Sequence, residues 1–141
     1  MLKLSKKVEY GILALQYIAN NSEQKASARE MSDMLNIPFE FLSKTLQQLM
    51  RNGLILSQKG PQGGYILSRE PDKISIAEII DALEEKSNLV ECFDNKNEES
   101  CQRADDCTIR HNIGGLQQQI NNVFAKMTIA EMILSNDDKL N

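Results

Sequence analysis

Three cysteines and the only histidine of this 141-residue chain lie together in the segment 91–111. Cys92 and Cys101 are separated by eight residues, Cys101 and Cys107 by five, and His111 follows after three more. Three thiolates and an imidazole can complete a tetrahedral zinc site or hold most of an iron–sulfur cluster. These separations are longer than the Cys-x2–4-Cys knuckle usual in zinc sites, and free thiols are a third interpretation. The confinement of these soft ligands to one segment favours metal binding.

The composition bears on the compartment in which those cysteines would act. No run of the sequence approaches the ~20 apolar residues of a membrane span. The N-terminus has basic residues before an apolar run, as in a signal peptide, but Glu9 and Gln16 interrupt it and its apolar residues fall at helical spacing. We therefore expect a cytoplasmic protein with no membrane partner. Disulfides are rare in that compartment, which leaves metal binding, redox chemistry or no role for the three thiols.

The charge differs between the two halves of the chain. Residues 1–70 carry nine Lys or Arg and six Asp or Glu, a net charge of +3, whereas residues 71–141 carry seven and fourteen, a net of −7. The sum is the −4 of the whole chain. A basic half joined to an acidic half suggests an anion-binding module attached to a second part of different function.

The N-terminal half is expected to contain three helices. Apolar residues at helical spacing predict a first helix over about residues 5–20. The capping-box pattern Ser-Ala-Arg-Glu, which starts at Ser27, predicts a short second helix. A third helix is predicted over 38–52, with Pro38 in its first turn, where the missing N–H needs no partner, and with Gly53 as a left-handed cap.

The remaining elements are a hairpin and two or more further helices. Two apolar runs flank a glycine-rich tip and predict a β-hairpin over 54–68. A capping box at Ser75 opens a fourth helix, and another at Thr128 opens a short last one. Between them is a heptad-spaced apolar seam, which predicts a long helix with a coiled-coil type of contact surface. Its members are Ile109, Ile113, Leu116, Ile120, Val123 and Met127.

Two short helices joined by a tight turn and followed by a hairpin make a winged helix-turn-helix. The fold class predicted is mainly α with a small β-hairpin, with a long C-terminal dimerisation helix. Lys and Gln side chains can bond base edges in the major groove, while Lys and Arg neutralise phosphates. The candidate DNA-binding residues are Ser43, Lys44, Gln47, Gln48 and Arg51 of the third helix and Lys59 and Gln62 of the wing.

Several stretches resemble one family closely. They are "LSKKVEYGILAL", the run from "IPFEFLSK" through "KGPQGGY" to "ISIAEIIDALE", and "CTIRHNI" with "TIAEMI". The sequence resembles the winged-helix bacterial regulators that include the iron–sulfur cluster regulator IscR and the nitric-oxide-sensing repressor NsrR. The resemblance implies a homodimer that binds a near-palindromic operator in double-stranded DNA. The chain differs from the family at Lys59, where family members often carry Arg.

The resemblance also implies a role for the cysteines. Sensor members of the family hold an iron–sulfur cluster on three cysteines, which here would be Cys92, Cys101 and Cys107. The fourth ligand would be His111 or the partner subunit's Glu9, and the cluster could be 2Fe-2S or 4Fe-4S. The expected function is a transcriptional regulator, for instance a repressor, whose operator affinity the cluster switches in response to redox state, iron or nitric oxide.

The chain is therefore divided into four parts. Residues 1–86 are expected to be the DNA-binding domain, 87–107 the cluster-binding loop, 108–135 the dimerisation helix region and 136–141 a frayed tail. One alternative is a cluster-free member of the same family that is regulated by thiol oxidation, zinc or a protein partner. Another is a winged helix that binds only proteins. Catalysis is not expected, because the chain has one histidine and no nucleophile elbow or phosphate loop.

Overall fold

The computed structural model describes residues 3–21, 23–61, 63–84 and 108–133. The elements, in chain order, are α1 (Lys6–Asn20), β1 (Lys25–Ala26), α2 (Ala28–Leu35), α3 (Phe39–Arg51), β2 (Ile55–Gln58), β3 (Gly64–Leu67), α4 (Ile76–Leu83) and α5 (Arg110–Lys126). A 3-10 turn, Pro71–Lys73, precedes α4, and residues 129–133 are helical. None of the helices in these ranges is long and apolar enough to cross a membrane.

The start of α2 corrects one detail of the sequence prediction. Ser27 caps the helix, and its hydroxyl accepts a hydrogen bond from the amide of Glu30 at 3.1 Å. The carboxylate of Glu30, however, accepts from the hydroxyl of Tyr17 at 3.3 Å and not from the amide of Ser27. Only half of the predicted capping box is therefore formed, because Glu30 connects α2 to α1.

The turn between α2 and α3 is held by buried hydrogen bonds. Asn36 adopts a left-handed conformation, with φ 55° and ψ 46°, which ends α2. The amide of Ile37 then donates to the carbonyl of Ser32 at 3.1 Å, and the Ser32 hydroxyl donates to the carbonyl of Ile37 at 2.6 Å. Pro38 is the N-cap of α3 and does not lie in its first turn as predicted, because its ψ of 128° is extended.

The wing is part of a three-stranded sheet. Gly53, at φ 78°, ends α3, and the amides of Gly53 and Leu54 donate to the carbonyls of Met50 and Leu49. β2 and β3 form the predicted antiparallel hairpin, and β1 pairs antiparallel with the other edge of β3, which gives the order β1-β3-β2. The sequence prediction missed β1, because two residues are too few to show an alternating pattern.

The core is built mainly from one face of each helix in the N-terminal part. α4 packs against α1 and α3, and α2 packs against α3. The largest side chains that are fully buried come from α1, α2, α3, α4, β2, the segment before α4 and the helical residues 129–133: Leu15, Ile18, Met31, Leu42, Leu46, Leu49, Ile55, Ile74, Ile79 and Ile129. This apolar layer fixes α3 on its inner face and leaves its outer face to solvent.

The chain returns to this core after α5. The amide of Ile76 donates to the carbonyl of Met127 at 2.9 Å, and the amide of Ile129 donates to the carbonyl of Ile74 at 3.0 Å. Thr128 and Glu131 form the predicted capping box, with both hydrogen bonds at 3.4 Å. The C-terminal end of α5 is thus joined to the start of α4 by two backbone hydrogen bonds.

The second predicted capping box is formed at the start of α4, and it makes the stability of the folded state depend on pH. The Ser75 amide donates to Glu78 Oε2 at 3.0 Å, and Arg69 Nη1 lies 2.9 Å from Glu78 Oε1. Burial raises the pKa of Glu78, but the bonds from the Ser75 amide and the Arg69 guanidinium outweigh it and hold that pKa below its ordinary value. The ionised form therefore stabilises the folded state at neutral pH, and this contribution is lost as pH falls through the lowered pKa.

Glu78→Gln should therefore lose less stability than the wild type when the protein is acidified. We expect urea unfolding at about pH 6 and about pH 3.5 to show a smaller drop for the variant. The difference should be modest, because the Glu78 side chain is 41% exposed and solvent screens the ion pair. Glu70→Gln is the matched control, since the exposed Glu70 carboxylate has no partner among the described residues. An equal acid response of Glu78→Gln and the wild type would contradict this assignment.

Candidate nucleic-acid interface and metal ligands

The outer face of α3 carries the predicted DNA-binding side chains. Lys44, Gln47 and Arg51 are exposed, and Ser43 and Gln48 at the margins of this face are half-buried. The side chains of Lys44, Gln47 and Arg51 form no hydrogen bond or ion pair with other described residues. Their donors are therefore free to bind an external acceptor, and the buried inner face of the helix holds them in position.

The wing contributes a second cationic position. Lys59 is exposed directly after β2, and Gln62 lies outside the described residues. A Cβ on Gly63 would lie 2.5 Å from the carbonyl oxygen of Gln58, and one on Gly64 would lie 2.6 Å from that of Ala26. The hairpin and its third strand therefore require these two glycines, whether or not the tip approaches DNA.

Arg29 was not among the residues predicted from the sequence. It is exposed in the first turn of α2, and its Cζ lies 4.0 Å from the centre of the Phe39 ring, at the first residue of α3. An arginine over an aromatic face is a cation–π contact. The available signal in the sequence was a cation in the first turn of a helix, where the macrodipole disfavours it.

The candidate metal ligands are only partly described. Cys92, Cys101 and Cys107 lie outside the described residues. Glu9, in the first turn of α1, is half-buried and pairs with Lys6 at 3.0 Å, and His111 is exposed in the first turn of α5. No group of three or more His, Cys, Asp and Glu side chains within the described ranges could hold a metal ion.

Glu84 is the last described residue before the cysteines in the sequence, and it contacts the start of α1. This residue follows α4, and its Oε1 accepts a hydrogen bond from the backbone amide of Ser5 at 3.1 Å. Ser5 is the N-cap of α1, and its hydroxyl accepts from the amide of Val8 at 3.3 Å. Glu84, at the end of α4, therefore lies beside the N-terminus of α1, about one helical turn from Glu9.

Part of the predicted seam of α5 forms an apolar stripe on the surface. Ile109, Leu116 and Val123 recur every seven residues, and they are 57%, 46% and 57% exposed. Met127, at the end of the helix, is 40% exposed, and Phe124 instead packs against the core. We define the apolar stripe as Ile109, Leu116, Val123 and Met127. These four side chains are exposed and face away from the chain's own core.

The profile of the Rrf2 family, described as an iron-dependent transcriptional regulator, matches residues 4–135. The chain belongs to the Rrf2 family. It is 33% identical over 126 residues to a helix-turn-helix transcriptional regulator of Aquifex aeolicus, covering 89% of this chain and 88% of that protein. It is 28% identical to the regulator NsrR of Shouchella clausii, covering 97% of this chain and 92% of that one.

Solved structures support the same Rrf2 assignment. IscR of T. potens has a TM-score of 0.77 and 25% identity, with 98% of this chain and 90% of that one covered. CymR, the global cysteine regulator of B. subtilis, has a TM-score of 0.77 and 26% identity, with 96% and 98% covered. The predicted winged helix-turn-helix with a C-terminal helix is confirmed, and this Rrf2 protein is a transcriptional regulator and not an enzyme.

Proposed function

We propose that this Rrf2 regulator is a homodimer that binds a near-palindromic operator and whose affinity for that operator is switched by an iron–sulfur cluster. Its main support is the solvent-facing set of Lys44, Gln47 and Arg51 on α3, in a chain of the Rrf2 family. The second helix of a helix-turn-helix enters the major groove, where such side chains bond base edges and phosphates. Ser43, Gln48, Lys59 and Gln62 complete the proposed DNA surface.

The apolar stripe of α5 supports the dimer. Residues spaced by seven on an exposed helix favour contact with another helix of the same spacing. A two-fold dimer places the same stripe on both subunits, so it is self-complementary. Two winged helices held in this way would meet two half-sites about one DNA turn apart. The proposed division therefore keeps residues 1–86 for DNA binding and 108–135 for dimerisation, with a tail over 136–141.

The side chains available suit an iron–sulfur cluster. Cys92, Cys101 and Cys107 supply three thiolates, which are the usual ligands of such clusters. The Glu9 carboxylate is 45% exposed and the Lys6 side chain is 73% exposed, so their ion pair is weak. The partner subunit's Glu9 can therefore be released to the fourth ligand position. His111 is exposed to solvent. A bound cluster would supply iron that reacts with oxygen or nitric oxide and is lost when iron is scarce.

Anaerobic purification tests the cofactor. We expect iron and sulfide in fixed ratio to protein, visible absorption, and a change in operator affinity after the cluster is removed with a chelator. Cys101→Ser should abolish the absorption, and comparison of Glu9→Gln with His111→Ala should identify the fourth ligand. Protein with reduced, intact cysteines that carries no iron or sulfide would refute the cluster and leave the DNA-binding proposal standing.

A cluster-free regulator is the second candidate. Its support is the similarity to CymR, which is described as a global cysteine regulator. Under this alternative the three cysteines would act through reversible oxidation or would bind zinc. Metal analysis separates the possibilities, because zinc in place of iron, or thiols whose oxidation alone changes DNA affinity, would favour it.

A further inference from the structure

We propose that Arg29 binds a DNA phosphate and that the Phe39 ring holds it in position for that contact. This inference rests on the proposed DNA-binding function and adds a residue that the third helix and wing do not include. It concerns the first helix of the helix-turn-helix, α2, and one aromatic side chain at the start of α3. Arg29 is the binding residue and Phe39 is a positioning residue.

The position of the guanidinium is the first argument. Its Cζ lies 4.0 Å from the centre of the Phe39 ring, and Phe39 is the first residue of α3. In helix-turn-helix proteins the N-terminal part of the second helix contacts bases, while the first helix crosses the backbone. A cation that extends from the first helix to the start of the second therefore lies beside the phosphates that flank the groove.

The absence of a local partner is the second argument. Arg29 is exposed, and it forms no hydrogen bond or ion pair with any residue in the described ranges. The first turn of α2 carries a partial positive charge, so an arginine at this position does not stabilise the helix. The aromatic face restrains the guanidinium without supplying a hydrogen-bond acceptor, which leaves its N–H groups available for phosphate oxygens.

Salt dependence on a mixed-sequence duplex tests the contact, because phosphate binding does not depend on base sequence. The probe is a fluorescein-labelled duplex about three helical turns long, followed by anisotropy across a salt series. For Arg29→Gln we expect weaker binding and a log–log salt slope that is shallower by about 0.9 for each subunit. Arg29→Lys should keep the slope.

Phe39→Leu tests the positioning role. This variant retains the charge of Arg29 and removes the ring, so we expect the slope to stay and the affinity to fall about two- to fivefold for each subunit. Arg69→Gln is the matched control, because it removes the same charge from an arginine that is paired with Glu78 at 2.9 Å. Its slope should remain that of the wild type.

The outcomes separate this inference from the function on which it rests. If the wild type binds with a salt-dependent affinity and Arg29→Gln has the wild-type slope, Arg29 does not contact phosphate. A purely structural cation–π contact would lower the melting temperature of Arg29→Gln and leave the slope unchanged, which also overturns the inference. If the wild type itself binds no DNA, the DNA-binding function fails and the inference fails with it.

Discussion

Leu116→Asp is expected to convert the proposed dimer into monomers. Leu116 lies in the middle of the apolar stripe of α5 and is 46% exposed in a single chain. In the proposed two-fold dimer each copy would place an unpaired carboxylate in an apolar interface, at a cost of about 3 kcal/mol or more. Both copies together would weaken association by about 6 kcal/mol, or about 10⁴-fold. Light scattering after size-exclusion chromatography measures the change directly.

The same variant should lose most of its operator affinity. A monomer engages one half-site, whereas the second half-site of a dimer binds with a high effective concentration that is worth about 10²–10⁴-fold. An operator is first obtained by selecting, from random duplexes, those that the wild type binds. Fluorescence anisotropy then compares the affinities of the wild type and the variant for that operator. Gln118→Asp is the control, because it adds the same charge to an exposed position outside the stripe. A Leu116→Asp protein that remains dimeric at the wild-type dissociation constant would contradict dimerisation through α5.

Gly11→Ala is expected to destabilise the domain. Gly11 is buried in α1, and a Cβ on it would lie 2.5 Å from Leu83 Cδ1, with Ile79 Cγ2 at 3.7 Å and Leu49 Cδ1 at 3.8 Å. Leu83 is 4% exposed, so the surrounding core must shift to admit a methyl group. Overpacking costs about 1–3 kcal/mol, and it exceeds the gain of about 0.5–1 kcal/mol from replacing a helical glycine by alanine.

Thermal unfolding at fixed protein concentration measures the net effect. We expect a loss of about 1–2 kcal/mol, with a shift of about 3–6 °C for each kcal/mol. Gly115→Ala is the matched control, because residue 115 is also helical but a Cβ there meets nothing within 4 Å, so that variant should be stabilised. Addition of Leu83→Ala should make Gly11→Ala less costly, since the two sites share one contact. A stabilised Gly11→Ala would show that α1 and α4 are not closely packed at this point.

Helix ends and apolar faces were the parts of the fold that sequence patterns predicted well. Ser75 and Thr128 do open helices through full capping boxes, because both partners of each box are local in sequence. The box at Ser27 is incomplete, because Tyr17 of another helix takes the Glu30 carboxylate. Local patterns contain no information about such tertiary competition.

The candidate site also contains residues that sequence patterns predict and contacts that they do not. Lys44, Gln47 and Arg51 were predictable, because a helix with one buried face must expose the opposite one. The Arg29–Phe39 contact and the hydrogen bond from Ser5 to Glu84 join residues from different elements, and the latter pair is 79 positions apart in sequence. Such contacts depend on how the elements pack, which periodicity does not specify. The role of Cys92, Cys101 and Cys107 stays a prediction, since these residues lie outside the described ranges.

The bridge that joins residues 127–129 to residues 74–76 has an evolutionary consequence. Its two hydrogen bonds use main-chain atoms only, so almost any side-chain substitution leaves them intact, and a proline at Ile76 or Ile129 would remove one. In the proposed dimer formed through α5, this joint would set how far apart the two DNA-binding domains lie. Under this proposal, operator spacing would be inherited unchanged while operator sequence diverged through the side chains of α3.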